Sequence, residues 1–129
     1  MIASTLMCLA MTIFTESRGE PYKGQVAVAS VVLNRVEKNH TDVCTEINKT
    51  GQFPWARDKF KKIKGSYVFL KNAIPTGIYW QKSLDLAKAM IEGTEELMPN
   101  IIAFDSKKHP EWKMARAYII GHHHFYREA

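Results

Sequence analysis

The sequence predicts an α+β fold, mainly helical with a small antiparallel sheet near the C-terminus. Three observations carry that expectation. Apolar residues recur at helical spacing through the first forty or so positions. A second amphipathic run surrounds Trp80, Leu84, Ala87 and Ile91, with Gly93 behind it as a stop. After Pro99 the period shortens, and β-rich runs flank Gly121.

Taken in order, Ile2, Leu6, Leu9, Ala10, Ile13 and Phe14 predict a buried first helix ending near Arg18. The apolar start resembles a signal peptide, but it lacks a basic leader and runs straight into a polar motif without a cleavage site. Gly19 and Pro21 stop that helix and start a second near Pro21 or Tyr22. Residues 24–36 are rich in valine and suit a strand by propensity. Their length and the interleaved Ala27, Ala29 and Ser30 favour a helix buried nearly all round, with Val26, Ala29, Val32 or Leu33, and Val36 on one face. Thr41 or Asp42 caps a short third helix through Asn48, closed by Gly51. Residues 52–77 read as loop with one basic turn. Strands follow at 101–104, 117–120 and 124–127, the last two joined around Gly121.

The 129 residues fit one compact domain, with no linker, repeat or low-complexity segment. Hydrophobic residues make up 46% and charged ones 24%, enough for a core and inconsistent with disorder. Cys8 and Cys44 do not form a disulfide framework. One bridge is possible, but Cys8 in its apolar run reads more simply as buried filler. The net charge of +5 draws on Arg57, Lys59, Lys61, Lys62 and Lys64. Such a surface suits anionic partners, acidic bacterial wall polymers or nucleic acid among them, and equally a solvated basic face. Mostly lysine, and away from the candidate carboxylates, it is a poor match for nucleic-acid recognition. The first helix is too short to span a bilayer. No heptad or apolar interface patch appears, so a monomer is expected.

Glu16 and Glu20 are the first candidates for chemistry. Glycosidic cleavage needs a carboxyl that stays protonated near neutral pH. At the C-terminal end of an apolar helix, the dipole and partial burial both disfavour the Glu16 anion. Glu20 precedes a second helix, whose positive end favours the anion. The pair is thereby pushed apart in pKa. A solvent-facing Glu16 and a capping Glu20 are the plainer alternative. The aromatic set Phe53, Trp55, Tyr67, Tyr79, Trp80, Trp112, Tyr118 and Tyr126 supplies faces on which sugars stack. Trp80 has helical partners and belongs to the core. Gln52-Phe53-Pro54-Trp55 lies in loop sequence and is the better groove candidate. His122, His123 and His124 alternate faces on a strand, so they cannot all ligate one ion. No metal or cofactor is expected, and nucleophile-elbow, phosphate-loop and dinucleotide motifs are absent.

The stretch from Glu16-Ser17-Arg18-Gly19-Glu20-Pro21-Tyr22 through Asn34-Arg35-Val36 resembles the core motif of the spore-cortex-lytic and cell-wall hydrolase family (SleB/CwlJ type). The likeness continues in Val43-Cys44, Gln52-Phe53-Pro54-Trp55, Ala103-Phe104, Pro110-Glu111-Trp112 and Ile120-Gly121-His122-His123-His124-Phe125-Tyr126-Arg127. It implies a lysozyme-like catalytic fold acting on peptidoglycan glycan strands. Glu16 matches the family's essential glutamate, first in Glu-x-Arg-Gly-Glu, and Glu20 would brace the turn. Gln52, Phe53, Trp55, Trp112, His123 and Tyr126 fall to substrate binding.

The family resembles lytic transglycosylases, which cleave the bond between N-acetylmuramic acid and N-acetylglucosamine without water and leave a 1,6-anhydro end. Two departures stand out. His122 replaces the asparagine of a Gly-Asn-His-x-Phe pattern in which His123 is the histidine. Asp105 follows Phe104 where histidines are frequent, and as a second carboxylate it leaves a water-using muramidase open. Without wall-anchoring repeats or an export signal, a phage endolysin or virion-associated lysin is expected, reaching the wall by cytoplasmic release or virion delivery, with a bacterial domain trimmed of its targeting parts as the alternative. A non-catalytic glycan-binding module is the remaining class.

Overall fold

The computed structural model describes residues 2–128. Helix α1 (Thr5–Ser17) opens on Ser4, whose side chain accepts a hydrogen bond from the Met7 N–H at 3.2 Å. Cys8, Leu9, Ala10, Met11 and Ile13 are all fully buried, which explains why this apolar run is a core helix. Each large apolar side chain so placed contributes about 1.5–3 kcal/mol of transfer free energy.

Helix α2 (Tyr22–Asn39) begins behind Pro21 and ends on His40 in the left-handed region, φ 53°. It lies between two apolar clusters. Val26, Ala29 and Val32 pack with α1, whereas Ala27, Val28 and Val31 pack against Ile101 and Phe125 of a sheet. Two buried faces account for the valine-rich composition, and packing outweighs strand propensity. Helix α3 (Val43–Ile47) is capped by Asp42, which accepts from Thr45 N–H at 2.9 Å.

A disulfide joins Cys8 of α1 to Cys44 of α3, with Cα atoms 5.4 Å apart. This corrects the expectation of Cys8 as unpaired filler. Helical periodicity places Cys8 in the core, but only the docking of α3 on α1 brings the second sulfur to it.

Residues 52–77 also depart from expectation. A short helix α4 (Ala56–Lys59) leads into a hairpin of β1 (Phe60–Ile63) and β2 (Ser66–Phe69). Phe60 and Phe69 pair at its base with ring centroids 4.7 Å apart, and Leu70 N–H donates to Lys59 C=O at 2.8 Å. Lys64 and Gly65, both at positive φ, make the two-residue turn. Lysines on both faces hide the alternation that marks a half-buried strand. The hairpin is tied to the chain start by an Ile2–Val68 bridge and by Ala3 N–H donating to Tyr67 C=O at 2.9 Å.

Helix α5 (Ile78–Glu92) packs on α1, burying Trp80, Leu86, Ala87 and Met90, and stops at Gly93 with φ 80°. Trp80 meets Phe14 edge to face at 5.8 Å, a core contact as expected. Strands β3 (Ile101–Asp105), β4 (Met114–Ile120) and β5 (His123–Glu128) form an antiparallel sheet in the order β3-β5-β4. Strand β4 starts three residues before the expected position. The fold is α+β. Among the described residues no helix is long and apolar enough to cross a membrane.

Candidate active site

A cleft of about 590 Å³ opens where the C-terminal end of α1 meets the sheet. Glu16 and, from α2, Arg35 line it. One wall is the loop Gly51-Gln52-Phe53-Pro54; the other is the end of β3 with the residue after it, Ala103 to Ser106. Trp112, Met114 and His123 complete the lining.

Glu16 sits on the last turn of a helix whose other faces are in the core, so its carboxyl is half-buried. Burial pushes its pKa up from the ordinary carboxylate value. The nearby Trp55 indole N–H pulls the other way, and the negative charge of Asp105 adds to the rise. Trp55 Nε1 is buried, and neither the Glu16 carboxylate nor any other described group completes a hydrogen bond to it.

Asp105 behaves oppositely. Burial works against its anion, but hydrogen bonds from His109 Nε2 and the Ser106 N–H, the latter 2.7 Å long, outweigh it and hold the pKa down. His109 is gripped on both ring nitrogens. Nδ1 meets Glu111 at 2.6 Å and Nε2 meets Asp105 at 2.5 Å, which raises its pKa and favours the imidazolium. The ring also stacks flat on Trp112, 4.1 Å between centroids and 5° between planes. His123 is nearly buried, and desolvation lowers its pKa, favouring the neutral imidazole in the cleft. Arg35 spans the cleft floor, Nε donating to Ile102 C=O at 2.6 Å and Nη1 to Gln52 Oε1 at 2.7 Å.

A carboxyl raised in pKa, a carboxylate held down in pKa, an imidazole biased towards its neutral form and aromatic walls therefore share one concavity. That set can protonate a leaving oxygen and stabilise positive charge on a sugar. Residues 19–126 match the family described as Cell Wall Hydrolase. The chain belongs to the cell wall hydrolase family. The match begins three residues after Glu16.

Similar proteins include the spore cortex-lytic enzyme of Bacillus cereus, 61% identical over 31 residues, which are 24% of this chain and 12% of that protein. The spore cortex-lytic enzyme of Bacillus subtilis (strain 168) is 61% identical over 28 residues, 22% of this chain and 9% of its own length. That of Oceanobacillus iheyensis is 55% identical over 31 residues, 24% of this chain and 11% of its own. The matched stretch thus spans about a tenth of these curated relatives. No solved structure matches the chain.

Within this member of the cell wall hydrolase family, the fold brings together Glu16, Asp105, Gln52, Phe53, Trp112 and His123. Phe53 lines the cleft yet is only 6% exposed, so it has the core packing that its loop position concealed. Trp55 stands behind Glu16, outside the cleft lining. Tyr126 is also elsewhere. It is 3% exposed, and its hydroxyl accepts the His109 N–H at 2.9 Å behind Trp112.

Glu20 lies outside the lining too, clamping the far hairpin. Its carboxylate accepts the His122 N–H at 2.7 Å and meets His122 Nδ1 at 2.7 Å. Those contacts, chiefly the side-chain one, lower its pKa; the expected direction holds, but the cause is His122 and not a helix end.

Arg35 and His109 are the site residues that sequence reasoning missed. An arginine close behind the valine-rich run of α2 was the available signal for Arg35. His109 carried none, because its partners are set by how the loop between β3 and β4 folds back.

Proposed function

We propose that the chain cleaves peptidoglycan glycan strands at the β-1,4 bond from N-acetylmuramic acid to N-acetylglucosamine, with Glu16 as acid and then base. The observation that carries this reading is the half-buried Glu16, raised in pKa, in a cleft walled by Trp112 and Phe53. Glu16 donates its proton to the glycosidic oxygen, and the bond to the muramic C1 breaks with its electrons going to that oxygen. The Glu16 carboxylate then takes the proton from the muramic C6 hydroxyl as its oxygen attacks C1. A 1,6-anhydro ring closes and the acid is restored.

A second reading is supported by Asp105, ionised and lining the same cleft. Its carboxylate would stabilise the oxocarbenium-like centre or activate a water, giving a reducing end instead.

Mass spectrometry of products from purified peptidoglycan tests both. Anhydromuropeptides that vanish in Glu16→Gln support the transglycosylase. Reducing ends carrying label from ¹⁸O-water, lost in both Glu16→Gln and Asp105→Asn, would assign the muramidase. No soluble product from wild type on any wall would leave a binding module.

A further inference from the structure

Charge in this molecule is segregated. Residues 56–72, which are α4, the β1–β2 hairpin and its exit, hold six basic side chains and one acidic one, a net +5. The remaining 12 basic and 12 acidic side chains cancel, so the whole net charge of the protein resides on this one projection. Arg57, Lys61, Lys62, Lys64 and Lys71 are exposed, and among the described residues none of them forms an ion pair. The tip gives up conformational freedom for charge: Lys64 holds φ 49° in a turn where Asn or Gly is favoured.

We infer that the β1–β2 hairpin is a docking element for a flexible, phosphate-bearing anionic polymer attached to the bacterial wall. Successive strand residues face opposite ways, so Lys61 and Lys62 charge both faces while Lys64 charges the tip. A ridge charged all round suits a chain that wraps, and not a planar membrane. Five lysines to one arginine supply mobile point charges instead of the bidentate forks used to read a fixed geometry. Lys62 lies over the ring of its cross-strand partner Tyr67 at 5.4 Å, which places that charge on one face of the hairpin.

The hairpin is fastened at Ile2 and Ala3, while Glu16 is at the other end of α1, about 20 Å away at 1.5 Å per residue. The ridge therefore acts by holding the enzyme on its matrix, since none of its residues lines the cleft. The inference rests on the wall-hydrolase reading for the identity of that matrix.

The test uses Glu16→Gln protein, which binds without cutting, on Gram-positive walls. Binding is measured on walls with their phosphate polymer intact and on walls stripped of it by hydrofluoric acid, with soluble polyglycerol phosphate as competitor. Stripping should weaken binding on the order of tenfold, and added salt or soluble polymer should release the protein from intact walls. Replacing Lys61, Lys62 and Lys64 by Glu should abolish the difference between the two walls, and replacing them by Arg should preserve it. Should the Glu variant melt early, the Gln variant takes its place.

Equal binding to intact and stripped walls overturns the proposal. So does stronger competition by duplex DNA or by anionic lipid vesicles at matched charge. Digestion of stripped walls by otherwise wild-type enzyme separately tests the hydrolase reading, so the two failures are distinguishable. The triple Glu variant should retain that digestion.

Discussion

Glu16 and Asp105 line one cleft, yet their surroundings drive their pKa values in opposite directions. Burial raises Glu16, whereas hydrogen bonds from His109 and Ser106 overcome burial at Asp105. The two neighbours of Glu16 also oppose each other, and that gives a prediction with a sign. Glu16 must be protonated to donate, so kcat/KM should fall as pH climbs through its raised pKa. Asp105→Asn removes a charge that raises this pKa and should move the alkaline limb to lower pH. Trp55→Phe removes the N–H that lowers it and should move the limb to higher pH. Profiles of kcat/KM on a soluble glycan would show the two displacements, and a shift in the same direction for both would refute the assignment.

The turns that carry the site are held by a contact between elements. Glu20, in the α1–α2 turn, grips the β4–β5 turn through two contacts with His122, 102 positions away. Gly121 makes the approach possible. Its φ is 56°, and a Cβ there would stand 2.5 Å from Glu20 Oε1. Gly121→Ala should therefore destabilise by about 1–3 kcal/mol in urea unfolding.

The latch also has a pH signature. The lowered pKa of Glu20 contributes stability that is lost as pH falls through it, and the raised pKa of His122 contributes stability that is lost as pH rises through it. Glu20→Gln should lower Tm most between those two values, from below the ordinary carboxylate range to above the ordinary histidine range. A Tm loss that is flat across pH would show the contact to be one of shape alone.

At the scale of the molecule, the cleft exists because α1 is fixed against α2, α3 and α5 while the sheet closes on the other side of α2. The Cys8–Cys44 disulfide closes a loop with a sequence separation of 36, and a loop of that length stabilises by about 4 kcal/mol in the chain-entropy description. Replacing both cysteines by Ser should lower Tm by roughly 10 °C or more. Thermal melts of this variant, and of wild type with and without reductant, would measure it. An unchanged Tm in the variant would mean that α3 is held by packing alone. The buried Glu46 supports α3 from the other side: burial opposes its anion, but Lys49, Asn39 and Thr41 hold its pKa down.

Local pattern was enough for the four other helices besides α4, for the late sheet and for the candidate acid. Periodicity, caps and glycine stops are local, so α1, α2, α5 and the Gly121 turn were legible from neighbours a few positions apart. The polar motif after an apolar helix likewise placed Glu16 where burial would act on it. The partners of these residues were a matter of docking. The Cys8–Cys44 pairing, the Glu20–His122 latch, the position of Tyr126 behind Trp112 and the double grip on His109 all depend on which surfaces dock. The basic hairpin went unread because its strands have four residues each and β1 places adjacent lysines on opposite faces. Its register is set by Phe60 stacking on Phe69 and by the edge offered at Ile2, contacts that no local pattern encodes.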